Sequence, residues 1–204
     1  MEPDPAPPLK GAKAANPLIV LIGENGLHKR WLIQRALAAF ETQLRGVPTI
    51  TNRAPRHDDL DEEFVHHADF TIADMEARGE FIEWTRREDP VRTFYGRTLD
   101  LIVSALRECI GIAVMGDEGA MRLVASKTVV CYIVRIVTED DPVQEPPTLA
   151  PAGLRISHEI RCSQDEAGFQ VALQALEDLL TRITMGVRST RPPPPSRPPD
   201  SLKL

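Results

Sequence analysis

The chain has 204 residues, a formal net charge of −6, 42% hydrophobic and 26% charged residues, a balance that suits one soluble domain with a core of its own. An acidic chain without a strong concentration of Lys and Arg argues against a nucleic-acid binder, which neutralises phosphates with clustered cations. The 3 cysteines, Cys109, Cys131 and Cys162, are odd in number and lack metal-ligand spacing. They do not fit a disulfide framework and read as reduced thiols of a cytosolic protein.

Residues 1–16 are rich in Pro and Ala and read as a disordered leader without an apolar signal core. No apolar run approaches the ~18 residues of a membrane span, so a soluble, cytoplasmic protein is expected. "PLIVLI" (17–22) is a continuous apolar run of strand length, the pattern of a strand covered on both faces. "KRWLIQRALAAFETQL" (29–44) carries Leu32, Ala36, Ala39 and Phe40 at helical spacing. "VPTIT" reads as a second strand and "RHDDLDEE" as a charged loop. "TIADMEARG" reads as a short helix capped by Thr71 and stopped by Gly79, and "EFIEW" as a short strand.

"LDLIVSALREC" is amphipathic and helical, and "IGIAVM" (110–115) is another buried strand. A turn at Gly116–Gly119 and a short helix follow. "TVVCYIVRIV" (128–137) is strand, then comes a Pro-rich acidic loop, then "RISHEIRC" as a last strand. Ser163 and Glu166 fit a capping box opening a helix with Phe169, Leu173, Leu176, Leu180 and Ile183 along one stripe. Residues 187–204 read as a proline-rich disordered tail, in which Pro192, Pro195 and Arg197 have the P-x-x-P-x-R spacing of an SH3-type ligand. Strand alternating with helix predicts one α/β domain over residues 17–186, with a mainly parallel sheet flanked by helices.

"GENGLHKRW" (23–31) lies between the first strand and the first helix, where a phosphate-binding loop sits. Such a loop reads G-x-x-x-x-G-K-[ST]: glycines let backbone N–H groups cradle phosphate, Lys neutralises it, and a hydroxyl holds Mg²⁺. Gly23, Gly26 and Lys29 are kept. The second required glycine is His28, and the hydroxyl position is Arg30. A guanidinium cannot bind Mg²⁺, and at ~4 Å from the metal-site charge it costs roughly 4 kcal/mol at an effective dielectric near 20.

"TNRAPR" (51–56), "GEFIEW" (79–84) and "FYG" (94–96) follow in that order. With the loop and "SHEIRCSQDEAGFQVALQALEDLL", they resemble the guanylate kinase family over roughly residues 17 to 184. The resemblance implies a P-loop NTPase-like α/β fold with a small GMP-binding subdomain. By it, Arg53 and Arg56 match the two arginines that grip the GMP phosphate through forked, charge-assisted bonds. Glu83 matches the carboxylate that reads the guanine edge, and Tyr95 the phosphate-touching tyrosine. An earlier phosphate-binding tyrosine falls at Phe64, and a hydroxyl residue after the Y-G pair falls at Arg97.

Other parts of the family pattern are missing. The family's L-D-x-D carboxylates fall at Val114 and Gly116, with Asp117 and Glu118 displaced. Its arginine-bearing lid is replaced by the loop with Glu139, Asp140, Asp141 and Glu145. Arg86, Arg87 and Arg92 lie near the presumed anion site, with Glu88 and Asp89 as available partners. His66, His67 and Asp69 form no complete metal set.

The resemblance therefore implies a catalytically inactive guanylate kinase-like domain that serves as a protein-interaction or scaffold module without a cofactor. By analogy with scaffold proteins that carry such domains, a phosphorylated partner occupies the former GMP site. The alternative is a divergent nucleoside monophosphate kinase transferring phosphate from Mg²⁺-ATP to GMP.

Overall fold

The computed structural model describes residues 13–23, 29–57, 59, 63–88, 92–138, 154, 156–163 and 165–190. The leader up to residue 12, Gly26 and His28 of the loop, the acidic segment 139–153 and the P-x-x-P-x-R stretch lie outside the described residues.

Five strands form a wholly parallel sheet: β1 (Leu18–Gly23), β2 (Leu44–Gly46), β7 (Ile110–Val114), β8 (Cys131–Thr138) and β9 (His158–Cys162), in the order β2-β7-β1-β8-β9. The central strand shows why a continuous apolar run was needed. Ile19 and Leu21 join one core with Leu32 and Ala36 of α1 (Lys29–Ala39) and Leu176 and Leu180 of α5 (Glu166–Thr190). Leu18, Val20 and Ile22 face the other core with Ile102 of α3 (Leu99–Ala105) and Ala120 and Leu123 of α4 (Asp117–Ser126). All five β1 side chains are 0% exposed, so each contributes of order 1.5–3 kcal/mol of burial.

The second sheet has four strands in the order β4-β3-β6-β5: β3 (Thr49–Thr51), β4 (Phe64–His66), β5 (Phe81–Arg87) and β6 (Thr93–Thr98). β5 and β6 run antiparallel, as do β3 and β6. Helix α2 (Asp69–Ala77) contributes Ile72 to the small core of Ile50, Phe81 and Phe94. The expected α/β architecture, parallel sheet and small second subdomain are all present.

Several local expectations are corrected. The first helix stops at Ala39 rather than near Leu44, because Leu44–Gly46 pairs with β7 instead. Thr71 is not a cap: α2 begins at Asp69 after Ala68, which makes no side-chain cap bond, although Gly79 (φ 65) does end the segment. Gly116 is the N-cap of α4, and Gly119 lies inside that helix rather than closing a turn. Asp165, not a Ser163–Glu166 box, caps α5. Its Oδ1 accepts from Gly168 N–H at 2.8 Å and from the Ser163 hydroxyl at 2.6 Å. These two donors hold the Asp165 carboxyl below the usual carboxylate range. Helix α5 runs on to Thr190, into the first residues of the stretch read as tail. Among the described residues no helix is long and apolar enough to cross a membrane.

Candidate functional site

A cleft of about 680 Å³ opens at the carboxyl ends of β1 and β7, between the two sheets. It lies beside the loop that leaves the central strand, the place where open α/β sheets bind ligands. Gly23, Lys29, Glu83, Arg87, Tyr95 and Arg97 are among its lining residues.

The segment between β1 and α1 is described at its two ends, Gly23 and Lys29. Gly23 has φ 137, and a Cβ there would sit 2.3 Å from the Ile136 carbonyl oxygen, so only glycine fits. Lys29 is 8% exposed, and its Nζ donates to the Gly23 carbonyl at 2.9 Å. Arg30 points elsewhere: its Nη2 meets Glu63 Oε2 at 2.9 Å, with half the side chain exposed. A guanidinium carries no lone pair, so Arg30 does not fit a Mg²⁺ ligand position. Among the described residues no three His, Cys, Asp or Glu side chains group to hold a metal. His66 Nδ1 instead lies 2.7 Å from the Arg53 carbonyl oxygen, and Asp69 accepts from Asn52.

Arg53 and Arg56 are brought together, but not as a free pair. Arg53 forks onto Asp59, with Nη1 2.9 Å from Oδ2 and Nη2 2.5 Å from Oδ1. Its guanidinium also stacks 4.2 Å from the centroid of Phe64, so the aromatic ring helps to position the arginine. The Arg56 N–H donates to the same Asp59 carboxylate at 2.8 Å, while the Arg56 side chain is exposed. The Arg53 guanidinium, followed by the Arg56 N–H, holds the Asp59 carboxyl far below its ordinary range. In return Asp59, with a smaller contribution from Tyr95, raises Arg53.

Tyr95 stands beside Arg53, edge-on to Phe64, with ring centroids 6.4 Å apart. Of the three arginines after β5's apolar start, only Arg87 lines the cleft, its guanidinium 5.6 Å from the Tyr95 ring centroid. Arg86 turns to the other face of the sheet, over Trp84 and onto Glu76. Arg92 lies 3.7 Å from Glu88.

Glu83, matched by its motif to a base-reading carboxylate, is engaged within the protein. It pairs directly with Arg97 across β5 and β6. Arg97 Nη1 donates to Glu83 Oε1 at 2.5 Å and to the Val114 carbonyl at 2.8 Å. The other carboxylate oxygen, Oε2, accepts from Gly116 N–H at 3.2 Å, at the start of α4. Both side chains are mostly buried, 13% and 16% exposed. Gly119 makes the approach possible, since a Cβ there would lie 2.6 Å from Glu83 Cβ and Oε2. The pair therefore ties the small sheet to β7 and α4. The displaced acidic residues Asp117 and Glu118 occupy the first turn of α4, where Glu118 pairs with Arg122 at 2.5 Å.

The sequence leaves open that Arg53 and Arg56 pair with Asp58, Asp59 or Asp61, and Asp59 takes that part; the motifs do not show that Arg97 takes up Glu83. The available signal was register: a hairpin joining "FIEW" to "FYGR" sets Glu83 opposite Arg97. No protein-family model matches the sequence, and no curated protein matches it. Among solved structures, a guanylate kinase from Anaplasma phagocytophilum superposes with TM-score 0.55, covering 85% of this chain and 89% of that one at 13% identity. The fold is guanylate kinase-like. Within the guanylate kinase-like frame, the large parallel sheet carries the altered loop and the small sheet carries Arg53, Glu83, Tyr95 and Arg97.

Proposed function

We propose that the chain is a catalytically inactive, guanylate kinase-like binding module that takes the phosphorylated side chain of a protein partner in this cleft. The observation that carries the reading is the Glu83–Arg97–Val114–Gly116 network. A carboxylate that reads a guanine edge offers its oxygens to ring and exocyclic N–H groups. Here each oxygen already accepts a bond from the protein. A nucleobase would have to compete with these bonds for a mostly buried carboxylate.

The phosphate side keeps its chemistry. Tyr95 offers a hydroxyl, Arg56 an exposed guanidinium, and Arg87 a cation stacked on Tyr95 with no carboxylate partner among the described residues. These groups suit a dianion presented on a chain, where charge-assisted bonds give specificity without a base pocket. Arg53, neutralised by its fork onto Asp59, supports the site by packing against Phe64 and Tyr95.

A coupled assay with GMP, ATP and Mg²⁺ tests the catalytic half: turnover should not exceed that of Lys29→Ala. Turnover well above that control would instead support the divergent kinase, to which the buried Lys29 gives its one structural support. Titration with phosphoserine peptides tests the binding half. Affinity should fall at least about tenfold in Arg56→Ala plus Arg87→Ala, the loss of more than one charge-assisted bond.

A further inference from the structure

We infer that the partner segment binds as an added strand along the outer edge of β5, with its phosphorylated residue on the Arg87–Tyr95 face. This rests on the reading of the cleft as a phosphate-accepting site, and it adds the backbone conformation and sequence pattern of the ligand.

Among the described residues, the strand order β4-β3-β6-β5 leaves β5 paired on one side only. Its first half is covered: Phe81 and Ile82 are buried, and Glu83 meets Gly116 and Gly119 at the start of α4. Its second half, Trp84 to Arg87, is exposed at every residue. Among the described residues no backbone bond outside the sheet is made by these four. The outer edge therefore presents alternate N–H and C=O groups to solvent, the template that an extended peptide completes.

Side chains say which peptide. Two such edges from separate copies would bring Arg86 and Arg87 against Arg86 and Arg87, a like-charge pairing that discourages self-association. An anionic strand meets the opposite situation. Because side chains alternate across a sheet, Thr85 and Arg87 share the cleft face with Tyr95, while Trp84 and Arg86 share the other. Trp84 is 50% exposed, lies against Phe94 with ring centroids 6.1 Å apart and carries the Arg86 guanidinium on its ring, which leaves half of an aromatic surface open to a neighbour. An added strand that points phosphoserine to the cleft face opposite Thr85, diagonal to Arg87, places its two neighbours opposite Trp84 and Arg86. The ligand pattern is thus apolar–phosphoserine–apolar in extended form, with one apolar neighbour on Trp84 and the other along the Arg86 stem. Diagonal neighbours on one face of paired strands stand ~7–8 Å apart, within reach of an arginine clasping a phosphate.

The test uses the full chain and the synthetic peptide Ala-Thr-Val-phosphoSer-Val-Thr-Ala, its dephosphorylated form, and two versions N-methylated at successive backbone nitrogens. Strand addition predicts that one of the two methylations weakens binding at least about tenfold, while the other is tolerated, since only alternate amides face β5. It also predicts that amides within Trp84–Arg87 gain hydrogen-exchange protection at saturation. If the phosphorylated peptide binds but both methylated forms bind equally well and those amides stay unprotected, strand addition is wrong and the phosphate site stands. If the phosphorylated and dephosphorylated peptides bind alike, the phosphate site falls and this inference with it.

Discussion

Glu83 and Arg97 face each other across β5 and β6 at 2.5 Å, and between them they reach Val114 and Gly116 at the edge of the parallel sheet. One ion pair thus does two things. It engages the Glu83 carboxylate, and it fastens the small sheet to the large one. A nucleotide kinase needs its small lobe to move as substrate is enclosed. A binding module gains from a cleft already held in shape.

Arg97→Ser should therefore loosen the cleft and free the carboxylate. The expected outcome is a loss of ~1–3 kcal/mol in stability, the range for coupled residues in one network, together with a gain in GMP affinity. Urea denaturation and calorimetry read the two effects separately. A stable variant with unchanged GMP affinity would show that Arg97 is not what withholds Glu83.

Gly119→Ala tests the same junction from the helix side. A methyl group 2.6 Å from Glu83 Cβ has to displace β5 or α4, and overpacking of this kind costs ~1–3 kcal/mol. Thermal unfolding should show the loss. The same change at Gly116, where nothing lies within 4 Å of an added Cβ, should be nearly silent.

Asp59 predicts a pH signature. Its carboxyl is depressed in the folded state by Arg53, so its stabilising contribution is present above the unfolded carboxylate value of about 3.9 and is lost as pH falls below it. The stability difference between the wild type and Asp59→Asn should be constant at neutral pH and shrink below about pH 4. Asp59→Asn also releases the Arg53 fork, so phosphopeptide affinity should rise in the same variant.

Cys131 gives the opposite slope. Burial pushes its thiol up to about 12, so the folded chain keeps a proton that the unfolded chain loses from about pH 8.5. Stability should decline as pH rises above that value, and Cys131→Ala should flatten the decline. Thiol labelling of the folded protein at pH 8 should spare Cys131, because the thiolate is the reacting species.

The parts legible in the sequence were those whose signal is local. The runs that became β1 and β7 are apolar throughout, and that of β8 is so apart from Arg135 and the terminal Thr138, because helices cover both faces of the sheet. The α5 stripe was equally plain: Leu176, Leu180 and Ile183 are buried, and Phe169 stacks against Trp31. β2, β3 and β4 are three residues each, too short for periodicity; VPTIT anticipated only β3. The cap of α5 was misplaced because Ser163 and Asp165 both offer a cap oxygen, and only the three-dimensional turn chooses Asp165. At the site, motif spacing singled out Arg53, Arg56, Glu83 and Tyr95, of which Glu83 and Tyr95 line the cleft. Their partners Asp59 and Arg97 depend on loop closure and strand register, which no short motif records.

The most direct measurement compares GMP with ribose 5-phosphate by calorimetry on the unmodified chain. With Glu83 held by Arg97, the base adds nothing, and the two ligands should bind with the same affinity within about threefold, under 1 kcal/mol. GMP binding tenfold or more tighter, and losing that advantage in Glu83→Gln, would show that the guanine edge is still read and would contradict the account.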